Sequence, residues 1–218
     1  MSKRISPAWW PVLGLASPVL FPMLFVKNRR YKRNVEESRN LNKARIENAS
    51  CLKLPELEQF ELTVLLEHKA ASGFLGAPGV SYVIKTNKGS ILFDLGFGSE
   101  MPALAHNAAK LNFKLNQVDA LVISHLHPDH MGGFKAFRNN QIAIPPAFGK
   151  GDGMASFAPA EVGADGFETK IVQGPRMLPA GIASTGPLSR SLFFMGVTEE
   201  QAIVARLKHK GTVVITGC

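Results

Sequence analysis

Three histidines and an aspartate fall within six residues at His125-Leu126-His127-Pro128-Asp129-His130, in a chain of 218 residues that has only six histidines. Imidazole nitrogens and carboxylate oxygens are the donors that hold zinc and similar divalent ions, and a catalytic site of this kind keeps one coordination position open for water. The chemistry such a cluster points to is metal-dependent hydrolysis. A polar surface loop could also carry histidines, but an exposed loop has no need of this spacing directly after an apolar run.

That apolar run, Ala120-Leu121-Val122-Ile123, is short and partly β-branched, as a buried strand requires. Side chains two apart on a strand share a face, so the strand end is expected to bring His125 and His127 together. Pro128 cannot continue a hydrogen-bonded ladder and turns the chain, which lets Asp129 and His130 swing back. Met131-Gly132-Gly133 permits a tight bend before a helix over 134–138. Elsewhere the pattern predicts strands at 60–67, 80–86, 90–94, 141–144, 170–173, 191–195 and 211–216, with a helix over 101–111. Asn87-Lys88-Gly89 suits a hairpin turn. The Gly-, Pro- and Ala-rich stretch 149–166 reads as a long loop walling the site. Strands with interspersed helices indicate a layered α/β domain.

Two cysteines, Cys51 and Cys218, make no disulfide framework and suit a reducing compartment. The net charge is +8, but its distribution argues against nucleic acid: residues 1–54 carry eleven Lys or Arg against three Glu, and the remainder is balanced. The basic residues flank a different feature. Residues 7–26, PAWWPVLGLASPVLFPMLFV, have no charge and end at Lys27, Arg29, Arg30, Lys32 and Arg33. This length, with Trp9 and Trp10 near one end, predicts a membrane anchor, transmembrane or dipping in and returning at its prolines, with the remainder facing the cytoplasm. A cleaved signal peptide is disfavoured by the basic block after Val26, and a buried core helix by charge on both flanks. The organisation expected is an anchor at 1–26, a basic polar linker at 27–54 whose Arg, Glu and Lys at helical spacing would allow a solvated helix, and a folded domain at 55–218.

Phe93-Asp94-Leu95-Gly96, a helix, Val122-Ile123-Ser124 and then HLHPDHMGG resemble the metallo-β-lactamase superfamily, whose hallmark is H-x-H-x-D-H at the end of a core strand. Ser81-Tyr82-Val83-Ile84, Ile91-Leu92-Phe93-Asp94 and Val213-Val214-Ile215-Thr216-Gly217-Cys218 look closest to the dihydropterin ribofuranosyl-aminobenzene phosphate synthase-like hydrolases. The resemblance implies an αββα sandwich with two divalent metal ions, zinc first, with iron or manganese also compatible. His125 and His127 would bind one ion and Asp129 and His130 the other, and Asp94 would hold the histidine loop from behind. A hydroxide held by the ions, oriented by Asp129, would attack an ester, phosphoester, lactone or thioester of a small-molecule substrate.

In the family, the strand ending in Thr-Gly-Cys leads to another metal-binding histidine and to the second half of the sandwich, which the resemblance places beyond Cys218. His68, His106 and His209 carry no motif and read as surface residues, and Cys218 is a poor substitute ligand. Two readings follow: a membrane-anchored metallohydrolase, or a truncated non-catalytic remnant acting as a membrane-associated binding module. Iron-based redox chemistry is a third.

Overall fold

Two apolar triplets far apart in sequence lie side by side as parallel strands, Ile91 opposite Ala120, Leu92 opposite Leu121 and Phe93 opposite Val122, and all six residues are buried. Both faces of such strands must be covered, which sets the layering of the molecule. A computed structural model describes residues 9–217. Its strands, in chain order, are β1 (Glu56–Leu57), β2 (Phe60–Leu66), β3 (Ser81–Thr86), β4 (Gly89–Phe93), β5 (Ala120–Val122), β6 (Gln141–Ile142), β7 (Met154–Ala158), β8 (Gly163–Ala164), β9 (Phe167–Ile171), β10 (Arg176–Met177), β11 (Ala183–Ser184), β12 (Leu188–Leu192), β13 (Gly196–Glu200), β14 (Ile203–Leu207) and β15 (Gly211–Ile215). The α-helices are α1 (Trp10–Glu47), α2 (Pro102–Lys110), α3 (Pro128–Met131) and α4 (Phe134–Asn139).

The larger sheet runs β2-β3-β4-β5-β7-β9, antiparallel from β2 to β4 and parallel from β4 onward. Parallel neighbours need crossovers, and α2 supplies one between β4 and β5, with α3 and α4 between β5 and β7. On the helix side, Leu92, Leu121 and Ile123 pack with Leu104, Ala108 and Met131. On the opposite side, Ile91, Phe93, Ala120 and Val122 pack with Ile182, just before β11, and with Leu57, Ile203 and Ala205 of the second sheet, ordered β1-β14-β11-β10 with β15 on β14. Helices on a sheet and that sheet on another make the α/β sandwich the sequence anticipated, but the second sheet, part of the half expected beyond Cys218, is already formed by five strands of the described residues. Full burial of a side chain such as Phe93 is worth about 1.5–3 kcal/mol, so the central strands are anchored on both faces.

Several expectations change. The stretch 149–166 is not one loop: β7 lies inside it, between β5 and β9. Ala155, Ser156 and Ala158 are too small to give a strong apolar signal, yet their size suits a strand pressed from both sides. The strand expected at 191–195 is divided, because Phe193-Phe194-Met195 form the turn of the β12–β13 hairpin.

The N-terminal expectation also changes. Pro7 and Ala8 of the expected anchor lie outside the described residues, as does Cys218. Among the described residues no helix is long and apolar enough to cross a membrane, so the transmembrane segment is corrected. The apolar run is the first part of the 38-residue α1, which carries Pro18 and Pro22 within it and continues through the basic stretch. Residues 27–47, read as linker, are therefore helical. They are also docked: Asn42 Nδ2 donates to Ser189 O at 2.8 Å, Ser189 N donates to Asn42 Oδ1 at 2.6 Å, and Arg45 pairs with Glu199.

Candidate metal centre

The histidine cluster sits at the carboxyl ends of the parallel strands β4 and β5, where an open α/β sheet offers a crevice between diverging loops. β5 ends at Val122, so His125 and His127 project from the loop beyond it rather than from strand alternation. Their rings still meet, with centroids 4.5 Å apart, and His125 and His130 are closer at 4.0 Å. The return is made by α3. Pro128 starts it, where a missing N–H costs nothing, and Gly132 ends it in the left-handed conformation at φ 106°. A Cβ at Gly132 would lie 2.0 Å from the Ala143 carbonyl oxygen, so only glycine fits. Leu95 N donates to His130 O at 2.9 Å, tying the returned loop to the end of β4.

Asp94 is the hub. It has no solvent exposure, and its φ of 59° turns the chain sharply after β4. Oδ1 accepts from Ser124 N at 2.6 Å, and Oδ2 accepts from Ser124 Oγ at 2.6 Å and pairs with His130 Nδ1 at 2.8 Å. A carboxylate can only accept, so His130 carries its proton on Nδ1 in the neutral ring and its lone pair on Nε2, the nitrogen 3.6 Å from Asp129 Oδ2. The same logic extends to His125. Ser124 has already given its one proton to Asp94, so the 2.9 Å contact of Ser124 Oγ with His125 Nδ1 is donated by the ring, and the lone pair is again on Nε2. One buried carboxylate thus sets the tautomers of two histidines.

The electrostatics favour the neutral ring at His125 and His127 and the charged ring at His130. Burial pushes His125 down to about 2, helped by repulsion from His130, His127 and Arg190. Burial also lowers His127, against the pull of Asp129. At His130 burial opposes the charge, but the hydrogen bond and charge of Asp94, then Asp129 and Glu200, outweigh it and raise the value.

The four sequence-predicted donors are therefore brought together and Asp94 stands behind them. His106 and His209 are exposed and apart from the cluster, as is His68. The sequence did not single out Arg190 and Glu200, an ion pair at 3.5 Å on the hairpin whose charges reach the histidines. Nor did it single out Gln201, whose Nε2 donates to Ile123 O at 2.7 Å and whose backbone N donates to Ser124 O at 2.8 Å, bolting the second sheet to the end of β5. No motif marks these three; only the strand pairing places them. Two grooves flank the cluster. One of about 330 Å³ is lined by Ser124, His125, Arg190, Glu200 and Gly217, and one of about 310 Å³ by Leu126, His127, Phe137, Met195 and Val197.

In donor type and anchoring the residues fit divalent ions: imidazoles with fixed tautomers, a carboxylate beside them, and a buried acceptor behind. Among the described residues no group of three or more His, Cys, Asp or Glu side chains is drawn up at ligating spacing, so an ion would have to gather the donors that last distance.

A family model of the metallo-beta-lactamase superfamily matches residues 76–190, more than half of the chain. The chain belongs to the metallo-β-lactamase superfamily. Among solved structures it is similar to Tm1679, a metal-dependent hydrolase of the beta-lactamase superfamily, at 22% identity with TM-score 0.48, covering 73% of this chain and 66% of that one. It is also similar to a quorum-quenching N-acyl homoserine lactone lactonase, at 15% identity with TM-score 0.46 and coverage of 74% of each chain. A third is the metallo-beta-lactamase fold protein YhfI from Bacillus subtilis, at 14% identity with TM-score 0.43, covering 73% of this chain and 62% of that one. The matches to Tm1679 and YhfI thus span just under two thirds of those chains. No curated protein matches the chain.

Proposed function

We propose that this protein is a metal-dependent hydrolase acting on an ester, phosphoester, lactone or thioester of a small molecule. The observation that carries the reading is the convergence of His125, His127 and His130 with Asp129, with His130 held from behind by the buried Asp94. His125 and His127 would hold one divalent ion, and Asp129 and His130 a second, zinc being the ion best matched to neutral imidazoles with iron and manganese also compatible. When bound, such ions activate water and polarise the substrate oxygen.

The chain's own residues supply the rest. Ser124 and Asp94 fix the tautomers of His125 and His130 and restrain their rings, so an ion has only to draw the donors together. Asp129 is one-third exposed on its side chain and faces the cluster, where it would accept a proton from the attacking water. Arg190 would attract an anionic leaving group or carboxylate in the groove it lines, while Glu200 restrains its guanidinium.

The test is direct. The 218-residue chain is purified, its bound metal is measured by elemental analysis, and hydrolysis of p-nitrophenyl acetate and bis-p-nitrophenyl phosphate is followed. Stoichiometric metal with activity abolished in His127→Ala is the expected result. A folded chain that takes up no zinc, iron or manganese would sink the proposal and leave a non-catalytic binding module.

A further inference from the structure

The first part of α1 is exposed on every side: Trp10, Leu15, Val19, Phe21, Phe25 and Val26 stand in solvent, Leu15 at 86%. A surface helix normally keeps one apolar stripe for a core, and a helix apolar all round needs an apolar surrounding. Two observations identify that surrounding. The first is charge: the apolar turns give way at once to Lys27, Arg29, Arg30, Lys32 and Arg33, a collar suited to anionic headgroups. Lys27 Nζ lies 4.7 Å from the ring of Phe194 and the Arg29 guanidinium 5.8 Å from the ring of Phe25, so the cations border the apolar surface.

The second is the hairpin. β12 and β13 run beside α1, pinned at Asn42–Ser189 and again at Tyr31–Phe193, whose ring centroids are 5.6 Å apart. From Asn42 back to Tyr31 is about 16 Å of helix, which the hairpin spans to bring its tip to the level of the collar. There Phe194 is 75% exposed and Met195 52%. The tip thus adds its own apolar side chains where the apolar helix begins. Met195 and Val197 also line the groove that holds His127 and Phe137.

We propose that the apolar turns of α1 and the hairpin tip Phe193–Met195 form one docking face for an anionic phospholipid bilayer, and that the adjoining groove takes the apolar tail of an amphiphilic substrate presented from that surface. The docking rests on α1 and the hairpin alone. The substrate class rests on the hydrolase reading above. A bilayer is favoured over a second copy of the chain because a like copy would set two basic collars against each other.

The test uses the whole chain, with no metal added. Co-sedimentation is measured with vesicles of phosphatidylcholine and phosphatidylglycerol, and with phosphatidylcholine alone. Binding to the mixed vesicles is expected, weakened by salt and by Lys27→Glu with Arg30→Glu, and lowered roughly tenfold by Phe194→Asp. Unchanged partitioning of Phe194→Asp overturns the shared face, as does a stable dimer in light scattering that ignores vesicles. For the groove, a dansyl-labelled undecanoate is titrated into the protein in the absence of vesicles. Val197→Asp is expected to weaken binding roughly tenfold, and unchanged affinity overturns the groove assignment. Neither readout needs turnover, so absence of metal or activity would fail the hydrolase reading without touching these results.

Discussion

Asp94 Oδ2 and His130 Nδ1 lie 2.8 Å apart, both closed off from solvent, although 36 residues separate them in the chain. The contact joins the end of β4 to α3, so the strand pairing and the candidate metal centre depend on the same carboxylate. Asp94→Asn keeps the volume but can no longer supply a charged acceptor to both Ser124 and His130. Metal affinity is expected to fall about 10- to 100-fold, measured by competition with a chromogenic chelator, while circular dichroism stays close to that of the parent. An Asp94→Asn chain that binds metal as tightly as the parent would falsify the orienting role.

Gly217 approaches the same hub from the last strand. A Cβ on it would lie 2.1 Å from Ser124 Oγ and 2.8 Å from Asp94 Oδ2. Gly217→Ala therefore has to push Ser124 away from Asp94 or move the end of β15. The expected cost is about 1–3 kcal/mol, read as a lower urea midpoint, with metal affinity falling in parallel because His125 loses its partner. A drop in stability with metal affinity intact would show that β15 moves instead.

The central strands and the proximity of the histidines were legible because they are encoded locally. The triplets at 91–93 and 120–122 are continuous apolar runs, and the candidate donors of H-x-H-x-D-H lie within six residues of one another. What escaped the sequence is set by distant pairing. β7 was hidden because Ala155, Ser156 and Ala158 carry little hydropathy, and its place between β5 and β9 is visible only in the sheet. Arg190 and Glu200 belong to ordinary alternating strands and gain meaning only when the hairpin folds toward His125. The polar part of α1 looked like a linker because its contacts with 187–199 lie far along the chain.

Acid stability follows from the histidines, with opposing signs. His125 and His127 have folded values below the unfolded one of about 6.5. Below that pH the unfolded chain takes protons that the folded chain refuses, so stability falls as pH falls. His130 has a raised folded value, and its contribution is fully present below about 6.5 and lost as pH rises through that folded value. Two groups act against one, and His125 is displaced furthest. The metal-free chain is expected to have a lower urea midpoint at about pH 5 than at about pH 7.5, and His125→Asn to flatten most of that slope. An unchanged slope in His125→Asn would mean that His125 takes up its proton in the folded chain.

The docking of α1 can be separated from the metal chemistry at Asn42. Its side chain donates to and accepts from the backbone of Ser189, closing both polar groups of one hairpin residue, while Arg45 donates to Pro187 O and pairs with Glu199. Asn42→Ala leaves the Ser189 N–H and carbonyl without these partners, which costs about 1–3 kcal/mol. Because Ser189 adjoins Arg190, the loosening is expected to spread along the hairpin toward the groove beside His125. Hydrogen exchange over 188–200 should therefore rise in Asn42→Ala, while bound metal stays at the parental level because no donor is touched. Under the proposed hydrolase activity, KM should rise with little change in kcat, because the role proposed for Arg190 is to bind rather than to react. Protection of the hairpin unchanged from the parent would show that β12 and β13 hold their place without α1.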